Sequence, residues 1–384
     1  MTQPEPPTLD WPARADEAAR SVTRGFGRRL LFLPGTHIAA TSRPTGTFRS
    51  MTLPWHYWWQ AHYLDCLVDA GRRELERGAT PLARFDGPGN PSAGRLASRL
   101  LRGIRLRNLL TFVNNYYDDM AWLALASLRL DSLAEAASKR GRRRYAKVQR
   151  SLTPQFESAS TDDLGGGTFW SRQRDFKNTP ATAPVALYFA RIGQEQRAQS
   201  LVDWLDATLF DGGRGLYLDG ARLDADGRIR VEDNVYTYNQ GPVLGALLEL
   251  GGLKNLERAA EVVAAVERHL TVRAGDAEVL RCDGTGDRGL FTGILCRYLA
   301  LAAQDPRLPG TARAAAERLV MATAEAFWNG SSTPAAGTGG RVFAIQATST
   351  AEADYPPGSA VELSTQLQAW MALEAAANLR RAAR

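Results

Sequence analysis

A chain of 384 residues, 44% of them hydrophobic, carries enough apolar material for a sizeable core in one large domain or two. The 47 basic and 41 acidic residues leave a formal net charge of +6, nearly every cation being arginine. The basic runs Arg95 to Arg107 and Lys139 to Arg144 read as solvated helix faces, because arginine is interleaved with leucine at helical spacing and no nucleic-acid motif accompanies them. Cys66, Cys282 and Cys296 are odd in number and far apart, which excludes a disulfide framework and a paired metal site and suits a reducing compartment.

The first ten residues, Pro-rich and polar, are expected to be mobile. An amphipathic helix is predicted over Trp11 to Gly25, followed by a Gly/Thr/Pro-rich loop to Thr52. In that loop Arg28-Arg29 precedes only Leu30 to Leu33 before Pro34, too short a run for a leader or a membrane span. The expectation is a cytoplasmic protein, or one exported by a route the sequence does not display. The next helix, Trp55 to about Gly78, begins with aromatics on every face, as core or as a platform for sugar rings. Helices are then predicted over Arg95 to Asn114, Asp118 to Ala137 and Arg142 to Phe156. The loop Asp162 to Ser171 uses three glycines to present Trp170. After helices over Pro180 to Ile192 and Glu195 to Leu209, alternation between Leu216 and Val231 around Asp226-Gly227 predicts a small β-hairpin. Helices resume at Gly241 to Leu250, Leu253 to Leu270, Asp287 to Ala303, Gly310 to Phe327 and Ser359 to Arg380. No dinucleotide fingerprint or phosphate loop is present.

These helices differ in character. Met120 to Leu130, Pro184 to Gly193, Pro242 to Leu250 and Phe291 to Ala302 are apolar or small nearly all round, as for helices buried on both sides, whereas those from Leu253 and Thr311 carry a charged face. Six hairpins pairing one kind with the other make an all-α (α/α)6 barrel, a single domain over residues 1–384 whose inner-helix N-termini converge on one mouth. A stacked solenoid is the competing arrangement.

The stretch Asn114 to Ala126 puts two adjacent carboxylates, Asp118 and Asp119, where an aromatic, turn-prone segment becomes an apolar helix. At such a helix mouth both can enter one cavity; alternatively one caps the helix and the other is solvated. Glycosidic cleavage needs an ionised carboxylate at the anomeric carbon and a protonated one at the leaving oxygen, and two close carboxylates separate their own pKa values. Candidate sugar contacts are Tyr117, Trp170, Asp219, Tyr238, Asn239, Gln240 and His62. All but Tyr238 have a plainer reading: Trp170, Tyr117 and His62 as packing, Asn239 and Gln240 as caps of the helix from Gly241, Asp219 as a turn residue beside Gly220. Asp283 and Asp287 read as loop and cap residues. No metal or cofactor is implied.

Tyr117-Asp118-Asp119 with Trp122, Gly165-Gly166-Gly167 with Trp170, Lys177-Asn178-Thr179, Thr237-Tyr238-Asn239-Gln240-Gly241 and Phe291-Thr292-Gly293-Ile294 resemble, in order and spacing, glycoside hydrolase family 76, the α-1,6-mannanases, over roughly Trp55 to Leu379. The resemblance implies an (α/α)6 barrel and retaining, endo-acting hydrolysis of α-1,6-linked mannose backbones, with Asp118 as nucleophile and Asp119 as acid/base. It also implies a sugar-binding Asp219 and cleft positions for Trp170, Tyr238, Asn239 and Gln240. The partner expected is an oligo- or polysaccharide, or a lipid-linked mannoside inside the cell. Two departures stand out: Leu123 follows Trp122 where the family often has a second tryptophan, and Thr168 or Ser171 stands where its glycine loop commonly has a second aromatic.

The alternatives are a glycosidase or transglycosylase acting on another α-linked glycan, and a non-catalytic glycan-binding protein on the same scaffold. A terpene-synthase-type lyase is disfavoured because Trp122 occupies the place of a further acidic metal ligand. A sugar epimerase would want barrel histidines, for which only His56 and His62 offer themselves.

Overall fold

The computed structural model describes residues 10–44, 55–137, 146–224, 228–333 and 340–382. The expected mobile start (apart from Asp10), the basic run from Lys139 and the Asp226-Gly227 turn lie outside them. Helices α1 (Trp11–Phe26), α2 (Tyr57–Glu76), α3 (Ala93–Arg107), α4 (Tyr117–Ala136), α5 (Ala146–Ala159), α6 (Thr179–Arg191), α7 (Glu195–Thr208) and α8 (Thr237–Leu250) are followed by α9 (Leu253–His269), α10 (Phe291–Gln304), α11 (Gly310–Asn329), the single turn α12 (Ala351–Asp354) and α13 (Leu363–Ala382).

Contacts between these helices close a ring: α2 packs on α4, α4 on α6, α6 on α8, α8 on α10, α10 on α13, and α13 back on α2. The remaining long helices, α1, α3, α5, α7, α9 and α11, lie outside it, each against one or two inner neighbours. The alternation of all-round apolar and one-faced helices is therefore the alternation of inner and outer ring, and the solenoid alternative is excluded by closure. Small residues make this possible where helices press together, as at Gly241 and Gly245 on α8, where an added Cβ would meet the Tyr298 ring at 2.8 and 2.6 Å.

Element boundaries differ from the sequence reading at several helix ends, α10 among them: it starts at Phe291 rather than Asp287, with Gly286–Leu290 forming a 3-10 segment before it. The α3 helix stops at Arg107 rather than Asn114, since Leu109 and Leu110 turn into left-handed conformations (φ 53 and 66) and the Asn108 amide donates onward to the carbonyls of Thr111 and Val113. Helix α8 starts four residues early, at Thr237, with Pro242 tolerated in its second turn. Helix α13 starts at Leu363, four residues late. The expected hairpin forms between Gly220–Leu223 and Ile229–Glu232 and is extended by Lys177–Asn178; further short antiparallel pairs, such as Thr271–Ala274 with Ala277–Leu280, occupy other connections. All three cysteines are buried and unpaired. Among the described residues no helix is long and apolar enough to cross a membrane.

The end of the barrel away from the inner-helix N-termini is locked by ions. Asp65 and Asp69 on α2 are each bridged by Arg129 of α4, and Arg297 of α10 reaches them at 2.9 and 3.3 Å, so one buried cluster joins three inner helices. Removing one partner would strand buried charge. The Arg129→Ala variant is expected to lose about 3 to 5 kcal/mol of stability, measured by denaturant unfolding; a loss within about 0.5 kcal/mol, the scale of ordinary surface changes, would mean the cluster is solvated and not structural.

Candidate active site

One four-residue frame recurs where the inner helices begin. Its first residue is buried, as Tyr57, Tyr117, Thr237 and Leu363 are, and its fourth grips a loop. The Gln60 amide exchanges both hydrogen bonds with the Ala39 peptide (2.9 and 3.2 Å), Gln240 does so with Tyr217 (both 2.9 Å), and Gln366 with Phe343 (2.8 and 2.9 Å). In α6 the position is Thr182, whose hydroxyl accepts from Thr168 N–H at 3.0 Å. The second and third residues of the frame are the ones that gather at the mouth: Trp58-Trp59, Asp118-Asp119 and Tyr238-Asn239.

Gln240 is thus corrected from a sugar contact to a loop clamp, its amide also donating to the Tyr236 carbonyl. Tyr117 is corrected likewise: its side chain is buried while its N–H donates to the Trp170 carbonyl at 2.8 Å, and the neighbouring Tyr116 is the partly exposed ring that lies against Trp170, 5.0 Å between centroids. His62 sits in the floor, one turn below Trp58, between the Trp58 and Trp122 rings. Burial, then the charge of Arg297, holds it neutral. It supports the mouth rather than lining it.

The glycine loop holds Trp170 in place. Gly166 and Gly167, at φ 133 and 76, lie so close on the Trp204 ring that a Cβ would come within 2.9 and 2.5 Å of it. The Lys177 ammonium, its side chain wrapped by the loop, donates to the carbonyls of Thr161, Asp163 and Gly166 at 2.7 Å each. Burial lowers its pKa to about 8. So fixed, the Trp170 indole N–H donates to Asp118 Oδ2 at 3.0 Å, and the Asp119 N–H donates to Asp118 Oδ1 at 2.8 Å. Asp119 has one donor, the Asn114 side-chain amide at 2.7 Å.

Those contacts separate the two acids. Burial raises the Asp118 pKa to about 7, held down by its two donors and pushed up by the Asp287 charge. Asp119 is raised further, by burial first and then by Asp118's charge, against only the Asn114 hydrogen bond. Asp118 ionises first and Asp119 keeps the shared proton. Alongside, Tyr238 stacks on Phe291 at 3.7 Å, and its hydroxyl feels the charges of Asp219, Asp118 and Asp287. Asp219, raised to about 6 by burial, accepts from Asn239 at 3.3 Å. The structure therefore brings together Asp118, Asp119, Trp170, Asp219, Tyr238 and Asn239, and among the described residues no three His, Cys, Asp or Glu side chains are grouped to hold a metal.

The sequence model of glycosyl hydrolase family 76 matches residues 103–382. The chain belongs to that family. Among solved structures, this family 76 hydrolase is similar to the α-1,6-mannanase of Salegentibacter sp. HEL1_6, seen as an inactive variant with two consecutive aspartates replaced, in complex with α-1,6-mannotriose. The TM-score is 0.77 at 28% identity, over 96% of this chain and 100% of that one. A Listeria innocua protein superimposes with a TM-score of 0.75 at 24% identity, over 97% and 98% of the two chains. A family 76 mannosidase of Bacteroides thetaiotaomicron gives 0.74 at 18%, over 97% and 100%. None of the curated proteins matches.

Sequence reasoning passed over Asp287 as a cap. One of its oxygens accepts from both the Trp58 and Trp59 indoles, at 2.8 and 2.7 Å, and its charge raises the pKa of both catalytic candidates. The tandem tryptophans at the start of α2 were the available signal, since two buried indole N–H groups demand an acceptor. Asp283 keeps its reading as a cap, accepting from the Thr237 N–H and hydroxyl. If cleavage needs Asp118 ionised and Asp119 protonated, activity falls below the first pKa and above the second. Asp287→Asn removes a negative charge from both and is expected to move both limbs of the kcat/KM profile to lower pH. Trp170→Phe removes a donor to ionised Asp118 and is expected to move the acid limb up. A pH profile unchanged in both variants would refute the assignment of these groups.

Proposed function

We propose that the protein hydrolyses α-1,6-linked mannose chains with retention, Asp118 acting as nucleophile and Asp119 as acid/base. The observation that carries this reading is the unequal hydrogen bonding of two consecutive, buried carboxylates. One has two donors that favour its charged form; the other has one donor and a neighbouring charge that favours its proton. The similar Salegentibacter enzyme, an α-1,6-mannanase inactivated at two consecutive aspartates and bound to an α-1,6-mannotriose, supports a catalytic aspartate pair and the substrate class.

In the first step the glycosidic C1–O bond breaks as Asp119 delivers its proton to the leaving oxygen and an Asp118 oxygen bonds to C1, giving a glycosyl ester. Asp119, now a carboxylate, takes a proton from water as the water oxygen attacks C1, releasing Asp118 and the sugar with its original anomeric configuration. The Trp170 N–H and the Asp119 N–H position Asp118 throughout. Tyr238 offers a ring face and a hydroxyl to the sugar, and the Asp219 carboxylate with the Asn239 amide offers acceptor and donor for sugar hydroxyls.

The test is release of reducing ends from α-1,6-mannan, compared with other α-linked mannans and glucans. Parent activity on α-1,6-mannan is expected, with Asp118→Asn and Asp119→Asn each slower by at least about 10³-fold, as for loss of a group acting on the reacting bond. Azide should rescue Asp119→Asn on an activated substrate by forming a glycosyl azide of retained configuration, and should not rescue Asp118→Asn in that way. An inverted product, or equal activity on α-glucans, would overturn the mechanism or the substrate respectively.

A further inference from the structure

The arginine run of α3, read from sequence as a solvated face, lies in a stretch of chain free of acidic residues. The sequence has no Asp or Glu from residue 18 to 64 or from 87 to 117. These two stretches meet in space. The His37 N–H bonds to the Arg99 carbonyl at 3.1 Å, Gly103 packs on the His37 backbone, and Arg102 reaches Gly35. Among the described residues no carboxylate is ion-paired with Arg29, Arg95, Arg99 or Arg102. Arg29 and Arg95 stand near enough to Arg99 to oppose its charge.

Beside this cationic face two turns hold apolar side chains out in solvent. On the first are Leu31, Phe32 and Leu33, with Phe32 72% exposed; on the second, directly after α3, are Leu109 and Leu110, 90% and 61% exposed. Leu31, Phe32, Leu109 and Leu110 all sit at positive φ, from 46 to 66. That is an unfavourable conformation for residues with a Cβ, here adopted by large apolar residues that gain no burial from it. The Arg105 guanidinium holds the second turn by donating to the Leu110 carbonyl at 2.9 Å.

We propose that this surface docks the protein on an anionic lipid bilayer, the leucines and Phe32 entering the headgroup and acyl boundary and the arginines meeting lipid phosphates. Charge complementarity selects an anionic partner. The apolar tips select a bilayer over a nucleic acid, whose backbone would satisfy the arginines but offers nothing to protruding leucines. The second turn leads into the active-site segment: Leu110 is four residues before Asn114, the donor to Asp119. The inference rests on surface composition and stands apart from the glycosidase reading.

The test is sedimentation of the protein, without substrate, with vesicles of phosphatidylcholine alone and of phosphatidylcholine mixed with phosphatidylglycerol. Binding is expected to the mixed vesicles, weaker by about tenfold or more without the anionic lipid and weakened by salt. The pair Arg95→Gln with Arg102→Gln should weaken it by about tenfold or more, at roughly fivefold per cation. The pair Leu109→Ser with Leu110→Ser, and Phe32→Ser alone, should each weaken it several-fold, with thermal melts and mannan-hydrolysing activity in solution unchanged. No sedimentation with anionic vesicles overturns the proposal. So does full binding by the leucine and Phe32 variants, which would mean charge adsorption without insertion, and so does equal affinity for duplex DNA.

Discussion

Every α-helix begins with backbone N–H groups that its own carbonyls cannot reach, and an (α/α)6 barrel turns six such beginnings toward one mouth. Few of them are closed by ordinary caps. Asn178 accepts from the Ala181 N–H at the start of α6, but the residues preceding α2, α4, α8 and α10 make no side-chain capping bond. The mouth is consequently electropositive at the backbone level and attracts carboxylates. Asp118 accepts from an N–H of α4's first turn, Asp283 from the Thr237 N–H, and Glu362 from the Gly286 N–H. The acidic character of the site follows from the architecture before any substrate is considered.

What makes the site reactive is that burial opposes this attraction. Helix ends favour the charged carboxylate and desolvation favours the neutral one, so small differences in donor count decide which aspartate holds the proton. The far end of the barrel resolves the same conflict differently. There a cavity of about 420 Å³ is lined by Asp65, Asp69, Arg129, Arg297 and their neighbours, but its acids and bases pair off. Trp122 lines that cavity and also packs on His62 beneath the mouth, so its indole touches both regions. Where the family often has a second tryptophan, Leu123 is simply buried core.

Much of this was legible in the sequence because it is periodic. All-round apolar and one-faced helices alternate, and that alternation is the ring order. Asp118-Asp119 could be placed at a helix mouth because the Ala/Leu run after them is a strong helix former. What could not be read was where side chains at consecutive positions would point. Tyr116 and Tyr117 are chemically the same, and only the turn into α4 decides which faces Trp170. Gln240 looked like a sugar ligand because amides serve both carbohydrate and backbone; its bonds to Tyr217 depend on a loop more than twenty residues away in sequence. Asp287 looked like a cap because its partners, Trp58 and Trp59, come from the opposite end of the chain and meet it only when the ring closes. The early end of α3 was hidden for another reason: leucine favours helix, and its left-handed turns here run against propensity.

The recurring frame at the inner-helix starts has a consequence for how such a protein changes over time. In α2, α6, α8 and α13 the loop clamp falls to the fourth residue of the frame, so the two residues before it are not needed for that clamp. The barrel behaves as a dial with interchangeable settings. At α4 the setting is a pair of acids, at α2 a pair of indoles, at α8 a phenol and an amide. The acids of α4, the indoles of α2 and the phenol and amide of α8 thus stand at equivalent positions of successive inner-helix starts, and a change at α2 or α8 can leave the loop clamps untouched.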